Sequence, residues 1–192
     1  MLADRFQQLL SLAQEQRPDY PASLGSPPES GQELLRKAAG EGEIPDLLST
    51  LYRQVSGTRR SIPEQHLMDF LPGYRLIHIT ELLQETQRAR ETLLEEGDCP
   101  PARVIPFLAN YSGDFYCVVL DDTGAEKICV LTNLEGELEE WSASPAEFLE
   151  TVSAFYREGA FTVDADGFLE VDFDKVDEIG QRINPDSPYW MD

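Results

Sequence analysis

Histidine and cysteine are scarce in this chain, with two and three residues respectively among 192. Cys99, Cys117 and Cys129 make neither an even set nor a Cys-x-x-Cys pair, which excludes a disulfide framework and a structural zinc site of ordinary spacing. Reduced, buried thiols are expected instead. His66 and His78 have no cysteine or regularly spaced carboxylate beside them, so no metal site is expected. No Gly-x-Ser-x-Gly elbow supplies a nucleophile for them to activate. The glycines at 113, 124 and 136 are isolated, which excludes a phosphate loop and a dinucleotide fingerprint. No cofactor is expected.

Long apolar runs are missing as well. No stretch approaches the roughly 18 residues that span a bilayer, and the opening "MLADRFQQLL" lacks the basic-then-apolar order of a signal peptide. The expectation is a cytoplasmic protein with no membrane insertion. Positive charge is also in short supply: fifteen Lys and Arg face thirty-six Asp and Glu, a formal net charge of −21. Such a surface repels nucleic acid and anionic membranes and steers basic partners. The one local basic cluster, "TRRS" at 58–61, is too small for nucleic-acid recognition.

What the chain does have is ordered punctuation. Residues 1–16 read as an amphipathic helix carrying Phe6, Leu9, Leu10 and Leu12, and 17–31, dense in Pro, Ser and Gly, read as a linker. Docking of that helix and free motion both remain open at this point. A domain is expected over 32–175 and a tail over 176–192. Inside the domain, "EIPDLLSTLYRQVSG" reads as a helix with Pro45 in its first turn and Gly57 past its end. Pro72 and Gly73 mark a turn, Leu76 and Ile77 a short buried extended stretch, and Thr80 the cap of a long helix with a charged middle.

From 104 the period changes to two. "VIPFL", "DFYCVVL", "KICVLTN" and "LEEWSA" read as short antiparallel strands, the second and third joined through "DDTGAE". Cys117 and Cys129 fall on two of them as candidate neighbours. Ser144, Pro145, Glu147 and Gly159 then bracket a helix whose Phe148, Leu149, Val152, Phe155 and Tyr156 would cover the sheet. "AFTVDADGFLEVDF" reads as a hairpin about Asp166 and Gly167. The same residues fail as a calcium loop, because with Gly167 at the sixth position the final ligand position falls on Phe173. The fold class that follows is α+β: an antiparallel sheet of about four to six strands flanked by helices.

Candidate binding residues sit in two places. The polar connection "NYSGD" offers Asn110, Tyr111 and Asp114, and the acidic strand "EGELEEW" offers Glu135, Glu137, Glu139, Glu140 and Trp141. An exposed acidic run is ordinarily a solvated face and an alternating Trp ordinarily core; as partner contacts they would be charge and anchor. General acid–base work by Glu137, Glu139 or His78 is the enzymatic rival, and it lacks a nucleophile, metal or cofactor signature.

Four phrases in order, "IPDLLSTLYRQVSG", "LPGYRLIHITELLQE", "VIPFLANYSGDFYCVVLD" and "WSASPAEFLETV", resemble the SUKH superfamily, which includes the Smi/Knr-type proteins. The resemblance covers residues 43–155. The loop carries less glycine than is usual there, and Pro145-Ala146 stands where Ser-Phe is usual. The resemblance implies a helix-flanked antiparallel sheet and a binding role without catalysis. Bacterial members of that superfamily are often immunity proteins that neutralise toxins, frequently nucleases; other branches regulate cell-wall synthesis or associate with protein export. The expectation is a non-enzymatic, cytosolic protein-binding module, a toxin-immunity protein or relative with a basic partner. The alternative is a regulatory scaffold for cell-wall or export machinery, tethered through the N-terminal helix and linker.

Overall fold

The period-two stretch builds the centre of the molecule. The computed structural model describes residues 1–40, 42–96, 103–121, 123–133 and 136–191. Among them, five strands form one antiparallel sheet in chain order: β1 (Arg75–Leu76), β2 (Arg103–Ala109), β3 (Phe115–Leu120), β4 (Glu126–Leu131) and β5 (Leu138–Ser142). The protein is α+β. Ala109, Phe115, Leu131 and Leu138 form one cross-strand row, which fixes what lies at that end of the sheet. Cys117 and Cys129 face each other across β3 and β4 as free thiols. Burial pushes the Cys117 thiol well above its usual range and that of Cys129 up to about 12, so neither is a thiolate near neutrality. Cys99 and Glu135 lie outside the described residues.

Almost every residue of β2 and β3 is buried, on both faces, so helices cover the sheet from both sides. Helix α6 (Pro145–Arg157) lays Phe148 against Phe107 and Trp141 at ring separations of 5.3 and 5.2 Å. Its start is capped as the sequence predicts, Ser144 Oγ accepting the Glu147 N–H at 3.2 Å. Helices α3 (Gly31–Ala39) and α5 (Leu82–Glu96) pack along β2.

Helix α4 (Asp46–Tyr52) is shorter than its sequence signal. The carboxylate of Glu126, on β4, accepts from the N–H groups of Asp46 and Leu47 at its start. Gly57 does not stop this helix; its backbone crosses Ile77 so closely, at φ 93°, that a Cβ would lie 2.3 Å from the Ile77 carbonyl oxygen. Only glycine fits there.

The N-terminal helix, whose docking was open from sequence, and the segments expected as linker and tail all join the core. Helix α1 (Leu2–Gln16) packs on α6 and α4, burying Phe6, Leu9 and Ala13. The segment expected as a linker, 17–31, carries helix α2 (Tyr20–Ser23) and is anchored by buried Arg17, Tyr20 and Leu24. Arg17 donates to the Asp69 carbonyl at 2.8 Å and the Tyr156 hydroxyl at 2.9 Å, with its guanidinium 4.1 Å from the centre of the Tyr20 ring. Backbone bonds from Ser56 to Gly25 and from Arg59 to Ser23 satisfy the segment's polar groups. Ordered backbone therefore replaces the expected loose chain.

At the other end, the expected hairpin is present as β6 (Phe161–Val163) and β7 (Leu169–Val171), with Asp164 Oδ1 accepting from the N–H groups of Asp166 and Phe168. The expected tail is helix α7 (Phe173–Ile183) followed by a 3₁₀ turn (Pro188–Trp190). Asp172 caps α7 through the Lys175 N–H, and Trp190 closes over buried Gly180, where a Cβ would meet the indole at 2.2 Å. No helix among the described residues is long and apolar enough to cross a membrane.

Candidate functional site

The loop between β2 and β3 is built by its own polar side chains. Asn110 Oδ1 accepts from the N–H groups of Ser112 (2.9 Å) and Asp114 (2.8 Å), while its Nδ2 donates to Asp114 Oδ2 at 2.7 Å. Asp114 Oδ1 accepts from the Asn133 N–H at 2.8 Å, tying this loop to the β4–β5 connection. Gly113 takes a φ of 94°, with Asn133 against it. Asn110 and Asp114 are thus spent on shape.

Tyr111 is what that shape presents. Its side chain is 74% exposed, and its hydroxyl donates to Met68 Sδ at 3.3 Å. Between the loop and α5 lies a groove of about 480 Å³, flanked by Arg75, Glu85, Arg88 and Glu91 on one wall and by Asn110 and Tyr111 on the other. The charged wall is a network. Arg75 bridges Glu81 (2.8 Å) and Glu85 (3.5 Å), Arg88 reaches Glu85 (3.4 Å), and Arg60 holds Glu81 (2.8 Å). Glu85 and Arg75 are largely shielded, which makes this wall stiff where exposed pairs would contribute little. A groove of this size with a rigid polar wall and a projecting aromatic suits recognition of a surface.

Replacing Asn110 by Ala removes three hydrogen bonds and is expected to cost about 1–2 kcal/mol of stability. Tyr111→Ala is expected to stay within about 0.5 kcal/mol of wild type, as an exposed substitution does. Urea unfolding of the two variants checks the division of labour.

The acidic strand divides differently. Glu137 follows the same cross-strand row and stands exposed beside the loop, its carbonyl accepting from the Thr132 N–H. Glu139 is exposed on β5 and Glu140 is half-buried, bonded to Lys127 Nζ on β4 at 2.7 Å. Trp141 is a correction: at 2% exposure it is core, not an exposed anchor on the acidic strand. Its ring is enclosed by Tyr116, Phe148, Phe155 and Trp190 at 5.0–6.3 Å, and Trp190 Nε1 donates to its carbonyl at 2.8 Å. The closing C-terminal turn, read as a tail from sequence, is what covers it.

No protein-family model matches the chain, and no curated protein is significantly similar to it. Its function is therefore argued from the residues themselves. For joint acid–base chemistry the geometry is unfavourable. His78 adjoins β1 at one edge of the sheet, while Glu139 lies on β5 and Glu137 just before it at the other edge, four strand spacings or about 19 Å away. His78 Nδ1 pairs with Thr80 Oγ1 at 2.8 Å, and burial, opposed by Glu81, holds the imidazole below its usual range. It serves the turn into α5.

Sequence reasoning missed Met68 and the α5 wall of the groove, which only the tertiary fold brings to Tyr111. It also missed Tyr74, Phe173 and Tyr189, which gather around Trp141 and Trp190. The signal for the last was available: two aromatic residues in the nine-residue "NPDSPYWMD" rarely both stay in water.

Proposed function

We propose that this chain is a non-catalytic, cytoplasmic protein-binding module of the SUKH type, a toxin-immunity protein or relative that binds and neutralises a basic partner such as a nuclease toxin. The observation that carries the reading is the groove beside exposed Tyr111, a preformed concavity with a rigid wall on a chain of net charge −21. Such a surface draws a basic protein in by long-range attraction and holds it by short-range contact. The four ordered phrases and the helix-flanked antiparallel sheet support the family reading; both are consistent with an interaction domain, and the edge-to-edge separation of His78 from Glu137 and Glu139 supports the non-catalytic part.

The scaffold alternative drew on a free N-terminal helix as a tether. With Phe6, Leu9, Tyr20 and Leu24 buried, residues 1–31 pack into the core, which favours the first reading over a free tether. Co-expression with the product of a neighbouring toxin gene tests the proposal. Host cells are expected to survive with the wild-type chain and to lose that protection with Tyr111→Ala; toxicity undiminished by the wild-type chain would contradict the reading.

A further inference from the structure

Away from the loop groove, the C-terminal turn closes over the sheet and leaves an open cavity of about 260 Å³. Its walls are largely aromatic, with Tyr74, Tyr116, Trp141, Phe173, Tyr189 and Trp190 beside aliphatic Leu71 and Val176. Tyr74 stands edge-on to Tyr116 at 4.9 Å, and Tyr189 edge-on to Trp190 at 4.8 Å, so the rings form fixed sides and not a collapsed stack. The mouth faces solvent, since Phe173 is 71% and Tyr189 38% exposed.

A carboxylate borders this space, Asp177 lining it from α7. Burial first, then the charges of Glu139 on β5 and of Asp177, raise the Tyr189 phenol above its usual range. The cations of α7 are engaged elsewhere. Lys175 donates to the Gly159 carbonyl at 3.2 Å, and Arg182 grips both oxygens of Glu158 at 2.6 and 2.8 Å.

Aromatic rings carry a negative face by their quadrupole, and the Asp177 carboxylate in the lining adds to that field, so the occupant that suits the cavity is a cation. Its volume falls below the roughly 300 Å³ at which sites for drug-sized ligands begin, which points to a single side chain. Against an aromatic ring, a planar guanidinium stacks and still offers two N–H groups to a carboxylate, as an ammonium does not.

We propose that this aromatic cavity receives an arginine side chain from the basic protein partner, its guanidinium held between the rings and Asp177. The inference rests on the proposed binding role for the source of the arginine, and on the cavity alone for its chemistry.

The chain's two tryptophans, Trp141 and Trp190, both line the cavity, so their indole ¹⁵N–¹H signals report occupancy directly. The full-length protein is titrated with the peptide acetyl-Gly-Arg-Gly-amide and with its neutral, equally shaped citrulline counterpart. Saturable shifts of both indoles by the arginine peptide are expected, with binding at least about tenfold weaker for citrulline and for Asp177→Asn, the loss of one cation contact. Equal binding of the two peptides, or no saturable shift up to the arginine peptide's solubility limit, overturns the proposal. Because the probe contains no partner sequence, that failure leaves the protein-binding role standing. Indole shifts by the arginine peptide alongside failed protection of toxin-expressing cells would instead overturn the immunity reading and keep the cavity's.

Discussion

Removing residues 1–31 is expected to abolish cooperative folding. Seen as a mobile helix and a linker, this segment would be dispensable; in the structure it supplies Phe6, Leu9, Tyr20 and Leu24 to the core, none more than 1% exposed. Burial of each large apolar side chain is worth about 1.5–3 kcal/mol. Their combined loss matches the roughly 5–15 kcal/mol by which a domain of this kind is stable. The cut also strips Arg17 from the Asp69 carbonyl and the Tyr156 hydroxyl, and the backbone partners Gly25 and Ser23 from Ser56 and Arg59. Thermal and urea scans of a chain starting at residue 32 are expected to show no sharp transition, with dye binding to exposed apolar surface. A truncated chain that unfolds at the wild-type midpoint would return α1 and α2 to the status of appendages.

Trp141→Ala is expected to destabilise the protein by about 3–5 kcal/mol, the range for truncating a large buried aromatic. The site cannot collapse easily, because the ring is packed on β3, α6 and the C-terminal turn at once, with Tyr116 at 5.8 Å, Phe148 at 5.2 Å and Trp190 at 5.0 Å. Its loss also loosens the turn whose Trp190 indole donates to the Trp141 carbonyl. A lowered urea midpoint with unchanged slope is the expected signature, and Trp141→Phe should lose less because a ring still fills most of the space. A change below about 1 kcal/mol, the ordinary effect of a point substitution, would show that the aromatic cluster does not carry the C-terminal half.

Much of this was legible in the sequence, and for physical reasons. The strands from 103 to 142 declare themselves because alternation and β-branched content are local signals, and α6 because Ser144, Pro145 and Glu147 cap it within four residues. The segment 17–31 misleads because Pro, Ser and Gly signal turns and disorder alike; what decides is whether the few apolar residues between them find a core. Tyr20 and Leu24 do, against groups more than thirty residues away, such as Ser56. Helix α7 misleads in another way. Its acids suggest a solvated tail, yet Val176, Ile179 and Ile183 follow helical spacing behind an Asp172 cap.

The candidate site was half legible. The loop could be located from its turn residues, but which of its side chains build it and which face outward depends on the reciprocal bonds of Asn110 and Asp114. The groove wall from α5 is a tertiary product that no local pattern contains. Trp141 shows the opposite hazard: an aromatic among acids can be core or anchor, and the segment that decides for core, forty-nine residues on, gives no local sign of it.

The groove at Tyr111 is proposed to capture a basic protein. Association kinetics with the product of a neighbouring toxin gene, followed across a salt series for the wild type and for Tyr111→Ala, test it most directly. An on-rate that falls steeply as salt rises is expected, from screening of the −21 charge. An off-rate about tenfold faster is expected for Tyr111→Ala at unchanged stability, the effect of losing an aromatic anchor. No complex, or a complex indifferent both to salt and to Tyr111, would contradict it.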